Sequence, residues 1–223
     1  MTDRITRFIT AITDAKLDGF VLNPGPSLAY LTDLNFHLME RPTVALFTAK
    51  GKIGLVLPIL EREKLKGLPF ELDVFPFGDD PNTWNSAFQQ ALSAMDLQHS
   101  KIGVEPTRLR VLELRYLEAA AAGANFSDGS HVLTKLRMVK EPGEVEKMRQ
   151  AAQIAQTALL ETLKSVRIGL NEREIASELV VQLYRAGSDI ELPFQPIVSS
   201  GPNSANPHAS PSDRVVENGD LIL

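Results

Sequence analysis

A histidine in a turn-rich loop is the residue of this sequence best suited to chemistry. His208 ends a stretch that starts at Phe194 and continues Gln-Pro-Ile-Val-Ser-Ser-Gly-Pro-Asn-Ser-Ala-Asn-Pro-His. Proline, glycine, asparagine and serine hold a backbone in set, non-repeating dihedral angles, so such a loop can fix the direction of the imidazole. Histidine titrates near neutral pH and suits hydrogen bonding or proton transfer. The alternative interpretation is an ordinary loop histidine in solvent.

The remaining candidate residues show no spacing that is typical of a catalytic or metal site. The other histidines are His37, His99 and His131. Each stands alone, which is typical of a surface or core histidine. The sequence has no His-Glu-x-x-His, no Asp-x-Asp calcium loop, no Gly-x-Ser-x-Gly elbow and no phosphate-binding glycine motif. Asp213, Glu217 and Asp220 lie in polar turns, and we assign none of them to a metal.

Composition and charge argue against several classes of function for this chain. The chain has 223 residues, a net charge of -5 and no cysteine. The absence of cysteine excludes disulfides, thiolate nucleophiles and cysteine-ligated zinc within this sequence. An acidic chain has no general attraction to nucleic acid or anionic membrane. No stretch approaches the ~18 apolar residues of a transmembrane helix, and the charged, amphipathic N-terminus leads us to expect no secretory signal. We therefore predict a cytoplasmic protein without nucleic-acid or membrane partners.

Helical and strand patterns alternate through residues 1–131. Ile5, Phe8 and Ile12 recur at helical spacing, and apolar runs on both sides of Gly51 indicate a hairpin. Alternation of this kind predicts a small α/β domain with a mixed sheet. The predicted strands cover residues 19–22, 43–47, 53–57, 72–77 and 102–104, and the predicted helices cover residues 3–16, 27–31, 60–65, 82–95 and 106–122.

Residues 132–223 are predicted to form a second domain. A linker helix is predicted over 132–139, and Pro142 opens a long helix with an apolar stripe that should pack inward. Asn171 and Glu174 form a capping box for the next helix, which ends at Gly187. The apolar run 194–198 predicts a strand. Another strand begins at 221–223, and because strands usually have five or six residues, we expect the parent protein to continue.

Two segments resemble the pita-bread metallohydrolases, the family of Xaa-Pro aminopeptidases, prolidases, methionine aminopeptidases and creatinase. The first is the Pro-Ile-Val-Ser-Ser-Gly-Pro-Asn-Ser-Ala-Asn-Pro-His pattern ending at His208, which is most similar to the Xaa-Pro branch. The second is Lys-Leu-Arg-Met-Val-Lys-Glu-Pro-Gly-Glu-Val-Glu-Lys-Met-Arg over 135–149. The resemblance implies a creatinase-like N-terminal α/β domain over 1–131 and the start of a pita-bread α+β domain over 132–223.

The resemblance also implies chemistry. Its parent would be an Xaa-Pro aminopeptidase or dipeptidase with two divalent metal ions, expected to be manganese. In that family all five metal ligands follow the histidine loop, so we expect them beyond Leu223, and we expect this chain to bind no metal and to lack activity. The histidine that matches His208 polarises or binds the substrate. We assign His208 as catalytic, and Phe194 and His208 to substrate binding.

Further expectations and alternatives come with the same resemblance. The substrate would be a proline-containing peptide or dipeptide, and the protein would be a homodimer. In related enzymes an N-terminal loop such as the one around His37 can reach a neighbouring subunit's active site. One alternative is a creatinase-like amidinohydrolase, which relies on a histidine without the metal pair. Another is a non-catalytic module that binds peptides or proteins.

Overall fold

The computed structural model describes residues 3–223 and divides into two compact units. One unit ends at Val139, and the other runs from Lys140 to Leu223. The helix before this boundary contributes Val132, Leu133 and Leu136 to the core of the first unit. The sequence analysis instead placed residues 132–139 with the second part.

The elements follow one another as helices and short strands. The helices are α1 (Asp3–Asp14), α2 (Pro26–Thr32), α3 (Pro81–Ala94), α4 (Val111–Ala120), α5 (Ser130–Met138), α6 (Pro142–Leu163) and α7 (Glu172–Ala186). The strands are β1 (Gly19–Leu22), β2 (Val44–Thr48), β3 (Ile53–Pro58), β4 (Asp73–Phe77), β5 (Lys101–Val104) and β6 (Asn125–Asp128). Short 3₁₀ helices cover Ile59–Leu65 and Gly201–Ala205.

A mixed sheet forms the centre of the first unit. Its strand order is β4-β3-β2-β1-β5-β6. The β1–β2 and β2–β3 pairs are antiparallel, while β3–β4, β1–β5 and β5–β6 are parallel. The predicted hairpin is present, and Gly51 in its turn has a φ of 90°, which glycine adopts without steric cost. The predicted α/β domain with a mixed sheet is thus confirmed.

Helices cover both faces of this sheet. Successive strand residues point to opposite faces, so Phe20 joins the cluster beneath α1 and α5, whereas Val21 joins the cluster beneath α3 and α4. Phe8 of α1 meets Phe20 and Phe47 edge-on, with ring centroids 5.2 Å apart in each pair. The opposite face contains a stack of aromatic rings that includes Phe88.

The second unit is built on α6 and α7, which pack against each other. The capping box of Asn171 and Glu174 forms as predicted, with Asn171 Oδ1 accepting from the Glu174 amide at 2.9 Å. Gly187 ends α7 in the left-handed conformation, with a φ of 102°. Within residues 3–223, no helix combines the length and hydropathy needed to span a lipid bilayer.

Three local predictions for the elements before residue 194 were wrong. The apolar stripe of α6 does not pack inward, as the exposed fractions of Met148 and Leu163, 58% and 55%, show. Helix α4 begins at Val111 rather than at Pro106, because the amides of Arg108 and Leu109 both bond to the carbonyl of Glu105 and form a turn first. Strand β6 was missed, since its Asn-Phe-Ser-Asp sequence lacks an apolar run.

Candidate functional site

The loop from Ser200 to Ser212 presents His208 to solvent. Its first half is the 3₁₀ helix Gly201–Ala205, and its second half is a series of turns. The amide of His208 donates to Asn206 Oδ1 at 3.1 Å, which fixes the backbone beside Pro207. The His208 side chain is exposed. The structure thus provides an accessible imidazole on a braced backbone.

A buried carboxylate beneath this loop connects its two ends. Glu172, the first residue of α7, is 0% exposed. Its Oε1 accepts from the amide and the hydroxyl of Ser200 at 2.6 and 2.9 Å. Its Oε2 accepts from the amide and the hydroxyl of Ser212 at 2.9 and 2.6 Å. The side-chain amide of Asn203 donates to both oxygens, at 3.1 and 3.2 Å.

These bonds decide the protonation state of Glu172. Burial alone would raise the pKa of the carboxyl, but the donors of Ser212, Ser200 and Asn203 outweigh it and lower the pKa from 4.5 to about 2. Hydrogen bonds to the charged form stabilise a carboxylate. Glu172 is therefore an anion at neutral pH, and every group that contacts it through these bonds is a donor.

An ion pair supports the first turn of the loop. Arg214 donates to both oxygens of Asp220, at 2.6 and 3.0 Å, and to the Ser200 hydroxyl at 2.7 Å. The hydrogen bonds from Arg214 lower the pKa of Asp220. Gly201 lies against this pair with a φ of 50°, and a Cβ there would meet Asp220 Oδ1 at 2.5 Å. The left-handed backbone therefore favours glycine, and a Cβ would also displace the ends of the ion-paired side chains.

The segment before the loop is not the strand that was predicted. Residues 194–198 are irregular, and the pairing that follows them is an isolated antiparallel bridge between Ser200 and Ile222. Ser199 and Leu223 exchange backbone hydrogen bonds at 3.0 and 2.9 Å. Pro196 within this segment has no N–H to donate to a strand neighbour, which disfavours a regular strand here.

Phe194 lies at an apolar groove in the second unit. Its side chain is 71% exposed and lines a groove of about 640 Å³ together with Pro193, Ile197 and side chains of α6 and α7. Asp189 and Glu191 add acidic groups to the lining. His208 is not among the residues that line this groove. The structure thus places the two predicted substrate-binding residues in different surroundings of the same unit.

The other histidines, His37, His99 and His131, belong to the first unit. His37 borders a cavity of about 30 Å³ beside Arg41 and Leu60, while His99 and His131 are exposed. Within residues 3–223, no group of three or more His, Cys, Asp and Glu side chains is arranged to hold a metal ion.

The sequence analysis missed Glu172. It gave a role only to Asn171 and Glu174 at the start of this helix, where many helices carry Asp or Glu. No local signal in the sequence marks it, because the burial of Ser200, whose polar side chain then needs a hydrogen-bond partner, is seen only in the structure.

Two family models match this chain. The model of the creatinase/prolidase N-terminal domain matches residues 4–139, and the model of metallopeptidase family M24 matches residues 146–223. The chain belongs to the creatinase/prolidase group of M24 metallopeptidases. The resemblance proposed from the histidine loop and the 135–149 segment is thus confirmed.

Relatives and solved structures of this M24 chain are peptidases. The Xaa-Pro dipeptidase of Lactobacillus helveticus is 27% identical over 205 residues, which is 92% of this chain and 55% of that protein. The dipeptidase structure from Pyrococcus horikoshii OT3 has a TM-score of 0.87 and 29% identity, covering 98% of this chain and 59% of that chain. The prolidase structure from Thermococcus sibiricus has a TM-score of 0.90 and 25% identity, covering 99% and 59%.

This M24 chain spans about half to three fifths of the length of the curated relatives it matches.

A metallopeptidase family implies divalent metal ions, but the acidic side chains that follow the histidine loop do not fit a metal site. Asp213 contacts Arg173 at 3.0 Å, and Asp220 contacts Arg214 at 2.6 Å, so these carboxylates are engaged by cations.

Proposed function

We propose that this chain forms the N-terminal domain and the histidine loop of an Xaa-Pro peptidase. The enzyme would cleave the bond between an N-terminal residue and proline, with a proline-containing dipeptide as the simplest substrate. The observation that carries the proposal is the exposed imidazole of His208 on a loop whose two ends share the Glu172 carboxylate. The Xaa-Pro dipeptidases among the relatives support the same substrate class.

Peptide hydrolysis needs a water nucleophile, stabilisation of the developing oxyanion and a proton for the leaving amine. In this proposal His208 donates a hydrogen bond to the substrate near the scissile bond and so holds and polarises it. Phe194 offers an apolar ring for a substrate side chain, in line with its position on an apolar groove. No metal-dependent step is assigned to the residues of this chain.

The test is ligand binding to the 223-residue chain, followed by NMR. Isotope-labelled protein is titrated with Ala-Pro, with Ala-Ala as the matched dipeptide and with creatine as the ligand of the alternative reaction. We expect signals of His208 and Phe194 to shift with Ala-Pro alone. His208→Ala should abolish the response, and His131→Ala, which removes another exposed histidine, should keep it. Equal responses to both dipeptides, or a response to creatine only, would refute the proposal.

Further parts of the proposal concern the whole enzyme. We propose manganese as its metal, a homodimeric state and a cytoplasmic location, as the sequence analysis predicts. The inactivity of the 223-residue chain also stays a prediction. Incubation with Mn²⁺ and Ala-Pro, followed by metal analysis and an assay for released proline, tests it. Bound metal at one or two equivalents per chain together with turnover would contradict it.

A further inference from the structure

We propose that Glu172 is the positioning residue for His208, acting through the loop that carries it. The role of His208 itself rests on the proposed function. The inference that Glu172 positions the loop rests on the hydrogen bonds around Glu172 and can be tested separately.

The two ends of the histidine loop meet on one carboxylate. Ser200 contributes its amide and hydroxyl to Oε1, and Ser212 contributes its amide and hydroxyl to Oε2. Asn203, inside the loop, bridges both oxygens. His208 lies between these attachment points, and its own backbone amide donates to Asn206 Oδ1 within the same loop. The direction of the imidazole therefore depends on where Glu172 holds the loop.

The site requires an anion rather than a polar group of the same shape. Backbone amides of Ser200 and Ser212 can only donate, and the Asn203 nitrogen can only donate. A glutamine at position 172 would turn its own NH₂ group toward one of these sets of donors. At least one buried donor would then lose its acceptor, which is the costly way to break a hydrogen bond.

The helix that carries Glu172 is held independently of the carboxylate. Asn171 forms a β-bridge with Val215, and the Glu172 amide donates to the Arg214 carbonyl at 3.1 Å. Gly169 also donates from its backbone to Val216 at 3.2 Å. Because these bonds use backbone atoms, a substitution of the Glu172 side chain leaves them intact. Its effect should therefore be confined to the segment between residues 200 and 212.

The experiment compares Glu172→Gln with Arg173→Ala in the 223-residue chain. Arg173 is the neighbouring helix residue. Its side chain donates to the Pro211 carbonyl of the same loop at 3.3 Å and pairs with Asp213 just after it, but this pair is 63% and 78% exposed and contributes little. We expect Glu172→Gln to speed hydrogen exchange at the Ser200 and Ser212 amides by at least about tenfold. The His208 ring signal should shift or broaden, while the ring signal of His131 stays in place. Arg173→Ala should change neither.

Glu172→Asp serves as the conservative rescue, because it restores the charge on a shorter side chain. It should recover part of the protection and return the His208 ring signal toward its original position. If Glu172→Gln does not fold, Ser212→Ala removes one hydroxyl donor and keeps the carboxylate. That variant should perturb the His208 signal in the same direction by a smaller amount. Unchanged exchange and an unchanged His208 ring in the folded variant would overturn the proposal.

Dipeptide binding separates this inference from the proposed function. If Ala-Pro binds, Glu172→Gln should weaken binding by at least about tenfold at a temperature at which the variant is still folded, whereas Arg173→Ala should not. If Ala-Pro does not bind the original chain, the proposed function fails, but the exchange rates and the His208 signal still decide the role of Glu172. A weakened affinity with an unmoved His208 ring counts against positioning.

Discussion

Acidification should release the histidine loop over a defined pH range. The perturbation is a fall in pH from 6 to 2.5, applied to the original chain and to Glu172→Gln. The pKa of Glu172 is lowered in the folded protein, from 4.5 to about 2. A lowered folded pKa means that the stabilisation is fully present above pH 4.5 and is lost as the pH falls toward 2.

The magnitude follows from that pKa difference. Each pKa unit corresponds to about 1.4 kcal/mol, so the shift sets an upper limit of about 3.5 kcal/mol on the stabilisation. The side chain is 0% exposed, yet it lies just beneath a polar surface loop, where solvent screening weakens its interactions. We therefore expect about 1–3 kcal/mol, of which roughly half is gone by pH 3.

The assay is urea unfolding followed by NMR signals of α7, which report on the second unit. Trp84 fluorescence is unsuitable for this purpose, because that residue lies in the first unit. The gap in unfolding free energy between the original chain and Glu172→Gln should be constant above about pH 5 and should narrow toward pH 2.5. A gap of the same size at pH 6 and pH 3 would refute the reasoning, because Glu172 would then not titrate in this range.

Further predictions follow from single contacts. Gly201→Ala should destabilise the second unit by about 2 kcal/mol or more, because the left-handed backbone and the close approach to Asp220 both oppose a Cβ; urea unfolding checks it, and a neutral effect would contradict it. Asp220→Asn should have a smaller effect in the same assay, since Arg214 keeps a neutral partner; an effect larger than that of Gly201→Ala would be the wrong result. Phe8→Ala should cost the first unit about 3–5 kcal/mol, because the ring is fully buried; unfolding followed by Trp84 fluorescence measures it, with a loss below about 1 kcal/mol as the contrary outcome.

Local patterns predicted most of the first unit. The helical spacing of Ile5, Phe8 and Ile12 identified α1, and the turn at Gly51 identified the β2–β3 hairpin, because both signals lie within a few residues. The prediction that the apolar stripe of α6 is buried was wrong for a physical reason. Periodicity shows that one side of a helix is apolar, but it does not show that another element covers it, and Met148 is exposed.

The sequence predicted only part of the candidate site, because only part of its signal is local. The histidine loop stands out in sequence because its turn residues are contiguous, so His208 could be selected without a structure. Glu172 could not be selected in this way. Its partners Ser200 and Ser212 are 28 and 40 residues away, and no local pattern links a helix-start acid to donors at such distances.

The same separations lead us to expect a particular order of folding in the second unit. The α6–α7 pair joins neighbouring segments, and local contacts of this kind form early. The contacts of Glu172 close loops of 28 and 40 residues, which costs conformational entropy. The hydrogen bonds that offset this cost can form only after α7 has placed the Glu172 carboxylate. We therefore expect the residues around His208 to become ordered last during folding. A refolding chain would pass through a stage in which the helix pair is complete and the imidazole still has no fixed direction.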